Sequence, residues 1–174
     1  MILQGKGFTL RDWQKEDAES LQKHANNTHI TDFLFDRFPS PYTLRDAIDF
    51  IDIKMAETPQ TNFPIVINGE VAGVIGLDFR VDIYIKAPLL GYWLSEKYWG
   101  NGIMPAAVKL VVDYGFNNLD IARIQAGVLG NNPKSMRVLE KAGFVKEGVL
   151  ADAIFKKGII LDEHVYGIVK RGLN

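Results

Sequence analysis

The stretch from residue 89 to residue 118 constrains the fold more than any other. LLGYWLS (89–95) is an apolar, strand-like run, and from Ile103 onward apolar residues recur at helical spacing, with Ile103, Ala107, Leu110, Val111 and Tyr114 on one side. Between the two lies YWGNGIM (98–104), in which Gly100 and Gly102 flank Asn101. A strand that runs through a glycine turn into a helix belongs in a layered α/β domain. The two glycines permit positive φ and remove the Cβ atoms that would hold a ligand away from the backbone. Pro105 suits the first turn of a helix, where a missing N–H costs little. The free N–H groups of the helix start, pooled with those of the loop, suit a phosphate. Taken alone, two glycines at a strand-to-helix junction are better explained by a plain tight turn. Two known phosphate loops are excluded by residue identity. Ile103 and Met104 stand where a P-loop needs Lys-Ser/Thr, and Pro105 stands where the dinucleotide fingerprint needs its third glycine.

The rest of the chain extends the α/β pattern. GFTLRDW (7–13) reads as a strand, and 16–27 as a helix carrying Ala18, Leu21 and Ala25. Two prolines make 35–42 a loop, after which Thr43 is placed as the N-cap of a helix, with Asp46 three residues on. That helix is expected to carry an apolar stripe of Leu44, Ala47, Ile48, Ile51 and Met55. From residue 63 the character changes. FPIVI and EVAGVIGLDF are joined by Asn68-Gly69, a strong hairpin signal. A strand at 123–129, a short helix at 132–142, a strand at 144–150, a Lys156-Lys157-Gly158 turn and a last strand near EHVYGIVKR complete the order. At 174 residues this predicts one domain, residues 1–174, with mixed parallel and antiparallel pairing.

Composition narrows the function classes. Twenty basic residues nearly balance 21 acidic ones, which argues against nucleic-acid binding through a broad basic surface. There is no cysteine, so disulfides, thiolate metal sites and a cysteine nucleophile are excluded. No segment reads as a signal peptide or a membrane span, and a cytoplasmic protein without membrane association is expected. His24 and His29 lie about one turn apart without a third ligand, and no metal is expected. His164, on the last strand, is read as a solvated side chain, with a place facing an acceptor as the alternative.

A second cluster, NNPKSMRVLEKAGF (131–144), places Asn132 and Ser135 three residues apart and Gly143-Phe144 just past a helix end. Lys134, Arg137 and Lys141 share one face of that helix, and by itself the segment reads as a capped, solvated helix with Gly143 as its stop. Together with GYWLSEKYWGNGI, and with the N-terminal FTLRDWQKEDAESL and PSPYTLRDAIDFI, it resembles the GNAT superfamily of acyl-CoA-dependent N-acyltransferases, and specifically its RimJ/RimL ribosomal-protein branch.

The resemblance implies a mixed, mostly antiparallel central sheet that splays at the acyl-CoA site, with helices on both faces. It implies acetyl-CoA as cosubstrate and an amine acceptor, which would be a protein N-terminus, a polyamine, an amino acid or an amine antibiotic. The pantetheine arm would pair with backbone around Trp93, Leu94 and Ser95. The pyrophosphate would lie on amides of Trp99, Gly100, Asn101, Gly102, Ile103 and Met104. Asn132 would hydrogen-bond the pantetheine, Ser135 would sit near the sulfur, and Lys134, Arg137 and Lys141 would reach the 3′-phosphate or pyrophosphate. The family often has a tyrosine in this helix as acid; Leu139 stands there, which leaves Ser135 as the candidate and the backbone N–H of Leu94 as carbonyl donor. An acidic residue often lies near the GYW strand. Here Ala87-Pro88-Leu89-Leu90 precede Gly91, and Asp78, Asp82 and Tyr84 are the remaining candidates for a base. Phe33, Phe35, Phe38 and Tyr42 would wall the acceptor site. Met104, where the pattern prefers a small residue, would either crowd the pyrophosphate or point into the core. A non-catalytic CoA-binding module on the same fold is the alternative function, and either a monomer or a homodimer is expected.

Overall fold

A computed structural model describes residues 2–170 of the protein. In chain order its strands and α-helices are β1 (Ile2–Gly5), β2 (Phe8–Arg11), α1 (Ala18–Ala25), α2 (Thr28–Thr31), α3 (Leu44–Ala56), β3 (Asn62–Ile67), β4 (Glu70–Asp78), β5 (Leu89–Leu94), α4 (Ile103–Asn118), β6 (Arg123–Leu129), α5 (Pro133–Lys141), β7 (Val145–Lys156) and β8 (Ile159–Val169). The strands follow the order β1-β2-β3-β4-β5-β6-β8-β7. Pairing is antiparallel for β1–β2, β2–β3, β3–β4, β6–β8 and β7–β8, and parallel for β5–β6. This is the mixed, mostly antiparallel sheet that the family resemblance implies. By contacts the chain forms two compact units, Met1–Gly76 with Tyr92–Ala107, and Leu77–Gly91 with Val108–Asn174.

In the first unit the hairpin turns where the sequence places it, with Asn68 at φ 52° and Gly69 at φ 83°, the two left-handed residues a two-residue turn requires. Helix α3 starts with a capping box. The Thr43 hydroxyl accepts from the Asp46 amide at 3.2 Å, and the Asp46 carboxylate accepts from the Thr43 amide at 2.8 Å. The Thr43 hydroxyl also donates to the Asp46 carboxylate at 2.5 Å, and this bond first, then that from the Thr43 amide, holds the Asp46 carboxyl below its ordinary range. The predicted stripe of α3 is narrower than expected. Ala47 and Ile51 join a core with Trp13, Leu21, Val71 and Trp93, whereas Leu44, Ile48 and Met55 are exposed. At about 100° per residue those three lie roughly 40–80° round the helix from the centre of the Ala47–Ile51 row, whereas Phe50, on the row's other side, packs against the core. Strand β1 and the one-turn helix α2 were not predicted. Both are four residues long, too short for periodicity to register.

In the second unit β8 is the central strand of an antiparallel trio with β6 and β7, and β7 continues beyond its expected end at Leu150 to Lys156. Gly167 is fixed by its neighbours: the Arg123–Glu147 ion pair, 2.6 Å, passes over it, and an added Cβ would meet both side chains at 2.5 Å. Helix α5 stops at Gly143, φ 96°, and the Phe144 amide closes back onto the Leu139 carbonyl at 3.0 Å. The parallel register of β5 with β6 is set at the pair Leu89–Gln125.

Candidate active site

The end of β5 is held within the first unit by one backbone and one side-chain hydrogen bond. The Ser95 amide donates to the Ala72 carbonyl of β4 at 2.7 Å, and the Trp99 indole N–H donates to the Leu94 carbonyl at 2.7 Å. An added Cβ at Gly73 would meet the Trp93 carbonyl oxygen at 2.5 Å, so the two strands lie too close there for any side chain. Amides of successive strand residues point to opposite edges. With Ser95 N–H turned toward β4, strand alternation directs the Leu94 N–H to the opposite edge. A single 3₁₀ turn, Glu96–Tyr98, then leads into the glycine loop.

Gly100 and Gly102 adopt φ of 80° and 74°, and neither would meet a protein atom within 4 Å if it carried a Cβ. The interior therefore makes no demand for glycine at either position except through the backbone turn. Asn101 folds its side-chain amide back onto the carbonyls of Tyr98 and Trp99, at 3.2 and 3.3 Å. Those carbonyls are thereby occupied, and Gly100 and Gly102 stand just ahead of the start of α4. Met104 is 6 % exposed and belongs to the core, so its side chain does not stand in the loop.

A polar cluster beneath Ser95 was not anticipated. The Ser95 hydroxyl is 3.0 Å from Nδ1 of His24, whose Nε2 is 3.0 Å from the Glu70 carboxylate. Lys23 bonds the other Glu70 oxygen at 2.7 Å. Lys23 first, then His24, hold the Glu70 carboxyl down to about 2. His24 and Ser95 are both buried. One signal was available: His24 lies three residues after Leu21, on the buried face of α1. Its partners come from β4 and the end of β5, which periodicity does not reveal. Nearby, Phe38 stacks on Tyr42 with ring centres 4.9 Å apart and meets Trp93 edge-on at 6.4 Å, while Phe33 and Phe35 of the same loop are exposed.

In the second unit Asn132 caps α5, its Oδ1 accepting from the Ser135 amide at 3.2 Å, with Pro133 as the first helical residue. Lys134, Arg137 and Lys141 are exposed and Ser135 is half-buried. Leu139, in the position of the family's tyrosine, is fully buried. Asp78, Asp82 and Tyr84 are all exposed, and the Arg80 guanidinium lies over the Tyr84 ring at 4.6 Å. On β8, Nδ1 of His164 is buried and has no hydrogen-bond partner among the described residues, so the side chain is not simply solvated. No three His, Cys, Asp or Glu side chains among the described residues are grouped to hold a metal ion. No helix among them is long and apolar enough to cross a membrane.

The acetyltransferase (GNAT) domain family matches residues 8–145. The chain belongs to the GNAT acetyltransferase family. It is 31 % identical over 167 residues to the uncharacterized N-acetyltransferase p20 of Bacillus licheniformis, covering 94 % of this chain and 93 % of that one. To the spermidine N(1)-acetyltransferase of Escherichia coli it is 27 % identical, over 86 % of this chain and 78 % of the relative. Among solved structures, the microcin C7 self-immunity acetyltransferase MccE, in complex with acetyl-CoA and AMP, matches at TM-score 0.79 and 26 % identity, over 95 % of this chain and 94 % of that one. The ribosomal L7/L12 α-N-protein acetyltransferase RimL, in complex with coenzyme A, shares the fold at TM-score 0.84 and 20 % identity, over 97 % and 98 %. The reaction class of this GNAT chain is acetyl-CoA-dependent N-acetylation.

Proposed function

We propose that this GNAT chain moves the acetyl group of acetyl-CoA to a primary amine by direct attack in a ternary complex, as a single cytoplasmic transferase domain, monomeric or homodimeric. The observation that carries this reading is the glycine loop at the start of α4, with positive φ at Gly100 and Gly102 and open space on the side where their Cβ atoms would stand. In this reading the amides of Trp99 to Met104 receive the pyrophosphate, and the backbone at Trp93, Leu94 and Ser95 receives the pantetheine arm. The Leu94 N–H polarises the thioester carbonyl, a charge-stabilising contact that strengthens as the oxyanion forms. Asn132 binds the pantetheine, Ser135 lies near the sulfur, and Lys134, Arg137 and Lys141 meet the nucleotide phosphates. A non-catalytic module loses its main support, because Met104 is packed in the core and does not crowd the loop.

The acceptor is a primary amine: a polyamine, such as the spermidine named for one relative, a protein N-terminus, such as that named for RimL, an amino acid or an amine antibiotic. Release of CoA thiol from acetyl-CoA, followed against a panel of spermidine, N-terminal peptides, amino acids and aminoglycosides, tests the proposal. The expected result is amine-dependent thiol release with an N-acetyl product identified by mass. Tight binding of acetyl-CoA with no turnover on any amine would sink it and favour the binding module.

A further inference from the structure

We propose that the Ser95 hydroxyl, backed by His24 and Glu70, takes the proton from the incoming amine; the inference rests on the acetyltransferase reading above. A primary amine, with a pKa near that of lysine, about 10.4, arrives as an ammonium ion and must lose a proton before it can attack. The carboxylates expected for this task, Asp78 at the end of β4 and Asp82 after it, are both exposed. The cluster below β5 is built differently: His24 and Ser95 are buried, and Glu70 stands partly exposed at its outer end. Glu70 is an anion at any working pH and can only accept, so Nε2 of His24 carries a hydrogen toward it. In the neutral imidazole this leaves Nδ1 bare, and the Ser95 O–H donates to it across 3.0 Å. The lone pairs of Ser95 Oγ are then the free acceptors of the array. Ser95 directly follows Leu94, the residue whose amide would hold the thioester carbonyl.

The step balances without any further reactant. The ammonium gives one proton to Ser95 Oγ as Ser95 passes its own to His24 Nδ1. The resulting imidazolium is held between Ser95 and the Glu70 carboxylate, and later loses the proton to water. The freed amine lone pair attacks the thioester carbon, the C–S bond breaks, and the second amine proton leaves with the thiolate as CoA thiol. Ser95 touches the substrate; His24 and Glu70 act through it as positioning and charge-stabilising residues. The charged and titratable groups around the His24 ring are Glu70 from β4, Lys23 from α1 through Glu70, and Tyr98, whose ring centre is 6.2 Å away.

The pH dependence of kcat/KM for the best acceptor from the panel tests this on the full chain, with acetyl-CoA affinity followed by Trp93 and Trp99 fluorescence. His24→Gln and Ser95→Ala are each expected to lose about a hundredfold at neutral pH. Acetyl-CoA affinity should stay within about twofold, the change expected when the ground-state complex is intact. The lost rate should return as pH approaches the amine's own pKa, because the amine then arrives unprotonated. Glu70→Gln should lose less, with the same recovery. Unchanged rates in active variants, or a loss that is equal at every pH, would overturn the proposal while leaving the function intact. If His24→Gln does not fold, Ser95→Ala removes one hydroxyl and decides alone. A wild-type chain inactive on every amine would overturn the function and this inference together.

Discussion

Gly73 and Gly102 occupy opposite situations within one compact unit. Gly73 lies in regular β4, where the missing side chain is required by the neighbouring strand: a Cβ there would meet the Trp93 carbonyl oxygen at 2.5 Å. Gly102 has no protein atom within 4 Å of that point, and its φ of 74° alone calls for glycine. The first glycine serves the interior. The second leaves room beside a helix start, where only something outside the chain can come close.

The sharpest test of the contrast is substitution of both by alanine. Gly73→Ala forces backbone against backbone, and the fold is expected to lose about 3 kcal/mol, the upper end for overpacking. Urea unfolding measures it, and an unchanged midpoint would mean that β4 and β5 are not so close. Gly102→Ala meets no atom and carries only the left-handed backbone cost, about 1–2 kcal/mol. Its main effect is expected on the cosubstrate, with KM for acetyl-CoA raised about tenfold, equivalent to about 1.4 kcal/mol, as the Cβ stands where the pyrophosphate should approach. If Gly102→Ala changes stability but not KM, the loop is a turn and no more.

What the sequence shows depends on how far apart the interacting residues are. The Asn68-Gly69 turn, the Thr43–Asp46 capping box and the whole of α4 were predicted at their observed places, because each is decided within a few residues. The α3 stripe was drawn too wide, since periodicity shows which residues are apolar but not how much of a helix face its neighbours cover. The glycine loop was recognisable as a motif, and Met104 was left between two outcomes until burial decided it. Of the His24 cluster only the place of His24 on the buried face of α1 was legible. Its two bonds join residues 71 and 46 positions apart, and no local pattern announces a pairing at that range.

Asn132 falls between the two glycines, because the fold uses one of its atoms and the proposed function uses another. Its Oδ1 is committed to the Ser135 amide as the cap of α5, and the side-chain N–H₂ is the donor assigned to pantetheine. Asn132→Ala removes both and is expected to cost about 1 kcal/mol of stability through the cap, together with a loss of CoA affinity. Asn132→Asp separates the two roles. An aspartate caps a helix as well as asparagine does and suits the positive end of its dipole, so stability should hold within a few tenths of a kcal/mol. The amide donor is gone, however, and CoA affinity should fall by roughly 1–2 kcal/mol, about one hydrogen bond. Calorimetric titration with CoA beside a thermal melt reads both quantities. If Asn132→Asp binds CoA as the wild type does, Asn132 is only a cap, and it belongs with Gly73 as a residue the fold alone explains.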